Sequence, residues 1–260
     1  MERGHTEPPG VADPMTGDEA LPADSRLEGF REPKQERSRR TLLRIAGATE
    51  SLLAERGARR LTVEDVVALA NTSVGSFYAR FDSKQVAVSF VRERSWREAR
   101  RLWRDFLAPE AWEDVPAPAV IAEVVRRFVR VLQARHRPTR ALYLDLLGRA
   151  DEEGLERVRE LDRDVARLVG RLLGQRTPAG SGAAARTRAA EEGFLLVISG
   201  LRDHLLFDPA GDERSLVLRL TQMYAALLEV ERPGSYAELL EMCAEAGRLS
   251  GHGTGPPGGS

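Results

Sequence analysis

The fold is decided by one stretch, Leu61-Thr-Val-Glu-Asp-Val-Val-Ala-Leu-Ala-Asn-Thr-Ser-Val-Gly-Ser-Phe-Tyr-Ala-Arg-Phe-Asp-Ser-Lys84. Thr62 stands three residues before Asp65, the spacing of a capping box, and predicts a short helix ending before Asn71. Asn tolerates the left-handed backbone nearly as well as Gly, so Asn71 suits the residue just past that helix. Ser73 then caps a second short helix reaching about Arg80, and a long helix opens at Ser83. Two short helices joined by a turn of three or four residues form a helix-turn-helix. Val66, Leu69, Phe77 and Phe81 are expected to pack the unit, leaving Val74, Gly75, Ser76, Tyr78 and Arg80 outward.

Outward from this stretch, nearly everything has helical spacing. Upstream, a helix from near Ser38 carries Leu42, Ile45, Ala48, Leu52 and Leu53 on one face and stops at Gly57. Downstream, the helix from Ser83 places Val88, Val91, Ala99, Leu102, Trp103 and Phe106 at helical intervals until Pro109. Further helices are expected at 117–135, 139–149, 152–174, 184–207, 213–231 and 235–248, with Pro116, Pro138, Pro178, Pro209 and Pro233 at the breaks. No segment sustains period-2 alternation of β-branched residues. The expectation is an all-α chain of nine or ten helices, with a three-helix N-terminal unit joined by a long helix to a helical C-terminal body. Residues 1–30 hold four Pro, four Gly and seven acids, and are expected to be a disordered extension. The boundaries that follow are 31–82 for the helix-turn-helix domain, 83–248 for the helical body and 249–260 for a flexible tail. Residues 175–183 are expected to be an internal loop.

Composition bounds the function. The 260 residues carry 39 Lys plus Arg against 40 Asp plus Glu, so no uniformly basic coat exists. Charge is nevertheless uneven: residues 31–90 hold 11 basic and 7 acidic side chains, net +4, after −5 over residues 1–30. Thirty-seven of the cations are Arg; Lys34 and Lys84 are the two lysines. A lone Cys243 excludes an intramolecular disulfide and suits a reducing compartment. The first residues lack the apolar core of a signal peptide and no run approaches a membrane span, so a soluble cytoplasmic protein is expected. Walker A, H-E-x-x-H and G-x-S-x-G are absent, and His5, His136, His204 and His252 are scattered. No enzyme activity, metal site or cofactor is expected.

The run Ser73-Val-Gly-Ser-Phe-Tyr-Ala-Arg-Phe-Asp-Ser-Lys84, with Gly57, Thr62 and Val66 upstream, resembles the TetR family of bacterial transcriptional regulators. The resemblance covers about residues 38–90, and Asn71 replaces the family's usual turn glycine. It implies a sequence-specific DNA-binding regulator, a repressor released from its operator by a small-molecule effector. By the same resemblance Thr62 and Tyr78 contact phosphate through hydroxyls, Lys84 faces phosphate from a helix N-terminus, and Arg80 meets phosphate or base. Val74, Gly75 and Ser76 are the candidates for base edges, with Ser73 capping their helix. Glu64 either accepts from a cytosine or simply favours the helix N-terminus. Arg37, Arg39 and Arg40 reach phosphates or form a solvated face.

Trp103, Phe106, Phe128 and Tyr143 lie where the resemblance places a ligand pocket, although aromatic residues at helical spacing also describe plain core. Gly193-Phe-Leu-Leu-Val-Ile-Ser-Gly-Leu201 is apolar around its circumference, and Leu216, Leu220, Met223, Tyr224 and Leu227 form a second stripe. Leu196, Gly200, Leu216, Leu220 and Tyr224 are therefore expected at a four-helix homodimer interface, with a buried monomer core as the alternative. A dimer implies a pseudo-palindromic double-stranded DNA operator. Two other readings remain open: a DNA-binding regulator without a small ligand, and an all-α enzyme or binding protein.

Overall fold

The computed structural model describes residues 27–177, 182–207 and 212–249, and these are all-helical. The order is α1 (Glu36–Arg56), α2 (Val63–Leu69), α3 (Val74–Tyr78), α4 (Lys84–Phe106), a 3₁₀ turn (Pro109–Trp112), α5 (Ala117–Ala134), α6 (His136–Arg149), α7 (Glu152–Leu173), α8 (Ala183–Phe207), α9 (Glu213–Leu227) and α10 (Tyr236–Leu249). Hydroxyls cap the elements that the sequence marks: Thr62 accepts from the Asp65 N–H, Ser73 from Ser76 and Ser83 from Val86. Asn71 sits at φ 46°. Its N–H and that of Thr72 bond back to Ala68 and Val67, closing α2 as a Schellman turn.

Two expected boundaries shift. Helix α6 begins at His136, ahead of Pro138, because a proline in the first turn removes an N–H that has no helical partner. Helix α9 stops at Leu227 rather than 231, where Glu229 turns left-handed at φ 55°.

Two apolar cores share α4. Leu42, Ile45, Leu53, Val66, Phe77 and Phe81 meet Val88, Phe90 and Val91 from its first turns, and Leu142 of α6 joins them. Trp103 and Phe106 at its far end belong instead to the core built on α5, α7, α8, α9 and α10. The helix thus ties the small N-terminal bundle to the larger body.

Residues 1–26, 178–181 and 250–260 lie outside the described residues, as do Pro178, Pro209 and the expected tail beyond Leu249. Residues 27–30, expected to belong to a disordered extension, are ordered. Phe30 packs on Phe81 and Phe90, with centroids 5.6 and 4.8 Å away. The Arg31 N–H donates to Arg80 O and the Asp82 N–H to Gly29 O, a short antiparallel bridge. Gly29 has φ +79°, and a Cβ there would lie 3.0 Å from the Asp82 carboxylate. The strap can approach because that residue is glycine.

Candidate nucleic-acid interface

Helix α3 stands on a fully buried Phe77 and Phe81. This leaves Val74 and Tyr78 exposed at 43% and 48%, with Gly75 open between them. A Cβ at Gly75 would meet nothing closer than Ser73 Oγ at 3.9 Å. The protein itself has no packing reason for glycine here, in a helix where alanine would be more stable by ~1 kcal/mol. Ser73 donates to Ser76 Oγ at 3.0 Å while capping the helix, so the two hydroxyls form one edge beside Val74. Leu69, expected in the core, is 57% exposed. It sits at the last turn of α2, where the chain leaves for the turn.

Thr62 is exposed, and its hydroxyl donates to Asp65 Oδ2 at 2.7 Å while accepting from the Asp65 N–H. The N-cap half of a capping box is thereby made, and the Asp65 carboxylate reaches back to the Thr62 hydroxyl. Asp65 also lies 3.5 Å from Arg56. Glu64 is exposed at the start of α2.

Arg80 corrects the expectation of an outward side chain: it is 8% exposed. Its guanidinium donates to Ser76 O, to Ser38 O at 3.2 Å and to Ser38 Oγ at 2.7 Å. Burial holds its pKa below the ordinary arginine value. Arg80 therefore bolts the end of α3 to the start of α1, and Arg31 adds an ion pair to Asp82 at 2.6 Å. Sequence spacing does not reveal such a bond across 42 residues. One consequence is that Arg37, Arg39 and Arg40, all exposed, are carried next to α3.

Lys84 is also turned inward. Its ammonium donates to Leu61 O at 2.8 Å and to Ala58 O and Arg59 O at 3.4 Å, closing the loop between α1 and α2. A pyramidal ammonium with three N–H bonds meets three converging carbonyls, which a planar guanidinium matches poorly. This explains a lysine at this place in an arginine-rich chain.

A second candidate site lies beside α4. Trp96, Trp103, Phe128 and Tyr143 line a cavity of about 170 Å³ together with Arg92 and Arg202. Trp103 stacks on Phe128 at 4.6 Å. Phe106, expected there, does not line the cavity. Its ring packs edge-on to Trp112 at 5.2 Å, and its carbonyl accepts from Trp112 Nε1 at 2.8 Å.

The pair α8 and α9 separates the expected interface residues. Leu216, Leu220 and Tyr224 point inward at 6%, 7% and 0% exposure, and Tyr224 donates to Ala190 O at 2.7 Å. Gly193 allows this packing, since a Cβ would lie 2.8 Å from the Tyr224 ring. Gly200 performs the same service for Leu220, at 3.2 Å. Leu196, Met223 and Leu227 are exposed at 53%, 37% and 45%. Helical periodicity reports the apolar stripe but not which edge of it faces the chain's own core.

No helix among the described residues is long and apolar enough to cross a membrane. Residues 45–86 match the family described as "Bacterial regulatory proteins, tetR family". A comparison with curated proteins gives no match. Among solved structures, the chain is similar to a putative TetR-family transcriptional regulator from Mesorhizobium loti, at TM-score 0.61 and 15% identity, covering 75% of this chain and 98% of that one. It is also similar to the fatty acid degradation regulator FadR from Bacillus halodurans, at TM-score 0.55 and 19% identity, covering 77% and 100%. A third is SmeT, the repressor of the Stenotrophomonas maltophilia efflux pump SmeDEF, at TM-score 0.51 and 18% identity, covering 76% and 97%. At these identities the likeness is one of fold. Residues 45–86, the helix-turn-helix unit, thus match the TetR family of bacterial regulatory proteins, and the chain as a whole shares the fold of these regulators.

Proposed function

We propose that the chain is a homodimeric repressor, that it reads a pseudo-palindromic operator with α3, and that a small molecule entering the cavity beside α4 releases it. The observation that carries the release is the course of α4. One end of the helix is held in the DNA-binding bundle by Lys84 and the other lines the cavity with Trp103. The 19 steps from Lys84 to Trp103 rise ~29 Å at 1.5 Å per residue. A shift at Trp103 therefore moves the bundle and alters the separation of the two recognition helices. SmeT, which shares the fold, is a repressor by its description.

For DNA, the exposed Val74 and Gly75 and the half-buried Ser76 supply the base-edge surface, while Tyr78 and Thr62 meet phosphate. Thr62 first gives up its bond to Asp65. Arg37, Arg39 and Arg40 add sequence-independent attraction beside α3. Arg80 and Lys84 act from within by positioning this surface. For the dimer, exposed Leu196, Met223 and Leu227 form the apolar seam of α8 and α9, continued by Gly200.

The central test is to select genomic DNA fragments with purified protein and measure release by candidate ligands. Driving the operator from 99% bound to 99% free demands ~10⁴-fold preference of the ligand for the released state. A protein that selects no sequence overturns the regulator reading. One that binds specifically but is released by no ligand fits a regulator governed by other means. The dimer is tested separately: Leu196→Glu should give folded monomers in sedimentation, and folded dimers of unchanged size would overturn the seam.

A further inference from the structure

The cavity beside α4 contains a buried cation that the protein leaves incompletely bonded. Arg92 is 8% exposed. Its Nη1 lies 3.3 Å from the Asp151 carboxylate, its Nη2 donates to Ser89 Oγ at 3.4 Å, and its Cζ sits 5.3 Å from the Trp96 ring centroid. Among the described residues its Nε has no hydrogen-bond partner. An unmet buried donor on a charged group costs free energy that an arriving acceptor restores. Asp151 answers this cation weakly, because its other oxygen caps α7 at Gly154 N–H.

The other charges on the wall are Arg135, Arg202 and Asp162. Arg202 pairs with Asp162 and lies over the Tyr143 ring, and Arg135 pairs with Glu50. Each of the three guanidiniums thus has a carboxylate partner, and Arg92 Nε is the donor these pairings leave over, a place for an acceptor rather than for an amine. The remaining wall is aromatic and aliphatic, with the stacked Trp103 and Phe128 as its largest flat surface. Size narrows the choice further. A dry cavity of ~150 Å³ accepts one benzene ring, so about 170 Å³ holds a single ring with one small substituent.

We propose that this cavity takes a monocyclic aromatic carboxylic acid, its carboxylate accepting from Arg92 Nε and its ring lying against Trp96, Trp103 and Phe128. The proposal rests on reading the cavity as the effector site and assigns that site a chemical class. The acid meets the orphaned nitrogen and places an aromatic face on the walls. A long acyl chain exceeds the volume, and a neutral ring leaves Arg92 as it is.

The test uses the full-length protein with three probes of nearly equal shape: benzoate, benzamide and toluene. Binding is followed by tryptophan fluorescence near neutral pH, and operator release by DNA anisotropy in the same titrations. Benzoate should bind at least tenfold more tightly than the other two. Arg92→Lys keeps a cation opposite Asp151 but removes Nε, and should cost benzoate tenfold or more while leaving toluene unchanged. The comparison of probes on the unaltered protein stands even if that variant folds poorly. Benzamide or toluene matching benzoate, a folded Arg92→Lys protein binding benzoate normally, or no benzoate binding would each overturn the ligand class. Benzoate binding without DNA release overturns the effector reading and leaves the class standing. DNA release by another chemical class, with no benzoate binding, does the reverse.

Discussion

Arg80 in the helix-turn-helix bundle and Arg92 at the cavity wall, each 8% exposed, are bonded in opposite ways. In the bundle, Arg80 spends its guanidinium on Ser38 and Ser76, and Lys84 spends its ammonium on three carbonyls. At the cavity wall, Arg92 Nε has no hydrogen-bond partner among the described residues. A reader of DNA needs its contact surface held to within fractions of an ångström, so its polar groups are fully used. On the proposed function, the cavity wall keeps an unspent donor whose cost a ligand repays, and the contrast is one between a rigid output and an adjustable input joined by α4.

The largest effect that would break this contrast is at Arg80. Arg80→Ala removes several charge-assisted bonds and leaves Ser76 O and Ser38 O without their donor. Chemical denaturation should register a loss of about 2–4 kcal/mol. An arginine reserved for DNA would instead leave stability unchanged and lower affinity alone. Arg92→Met is the matching change in the body. Its one ionic partner, Asp151, keeps a side chain 27% exposed and remains solvated, so the loss should stay near ~1 kcal/mol. Equal losses at the two arginines would erase the distinction.

How much of this was legible in the sequence follows the range of the interactions. Thr62, Asn71, Ser73 and Ser83 act within four residues, and each cap and turn reads directly from spacing. Outward Val74 and Tyr78 follow once Phe77 and Phe81 are assigned inward. Arg80 did not follow, because its partners lie on α1, and residue type alone makes an arginine beside a recognition helix look like a DNA contact. Phe30 was hidden in a segment whose average composition is that of a disordered chain, although one aromatic ring suffices to dock a strap. Leu216, Leu220 and Tyr224 were placed outside for another reason: an apolar stripe has two edges, and only the partner helix decides which is covered. Phe106 shares the helical face of Trp103 and still misses the cavity, since Trp112 fills the space beside it.

Lys84→Arg probes the bundle with a smaller perturbation. Charge is conserved, but a planar fork cannot donate to three carbonyls that converge on one point. A loss of ~1 kcal/mol is expected by thermal unfolding, with operator affinity falling only as far as the loop between α1 and α2 shifts. If Lys84 serves phosphate instead, the arginine variant should fold as well as the parent and bind DNA at least as tightly.

The smallest change in stability, and the sharpest separation of folding from reading, belongs to Gly75→Ala. Among the described residues, beyond its two neighbours and its own helix backbone, the nearest atom to the position a Cβ would occupy is Ser73 Oγ at 3.9 Å, and the backbone there is ordinary helix. The methyl group should therefore stabilise α3 by about 0.5–1 kcal/mol through helix propensity and a less disordered unfolded chain. The same methyl projects from the face between Val74 and Tyr78, where a base edge or sugar must approach if α3 lies in the major groove. Operator affinity should fall by about tenfold, the equivalent of 1.4 kcal/mol, and non-specific binding should fall less because it depends on phosphate contacts. Fold and function then move in opposite directions in one variant, a result that general destabilisation cannot produce. A Gly75→Ala protein that is more stable and binds its operator undiminished would show that the open face of α3 is not where the bases are read.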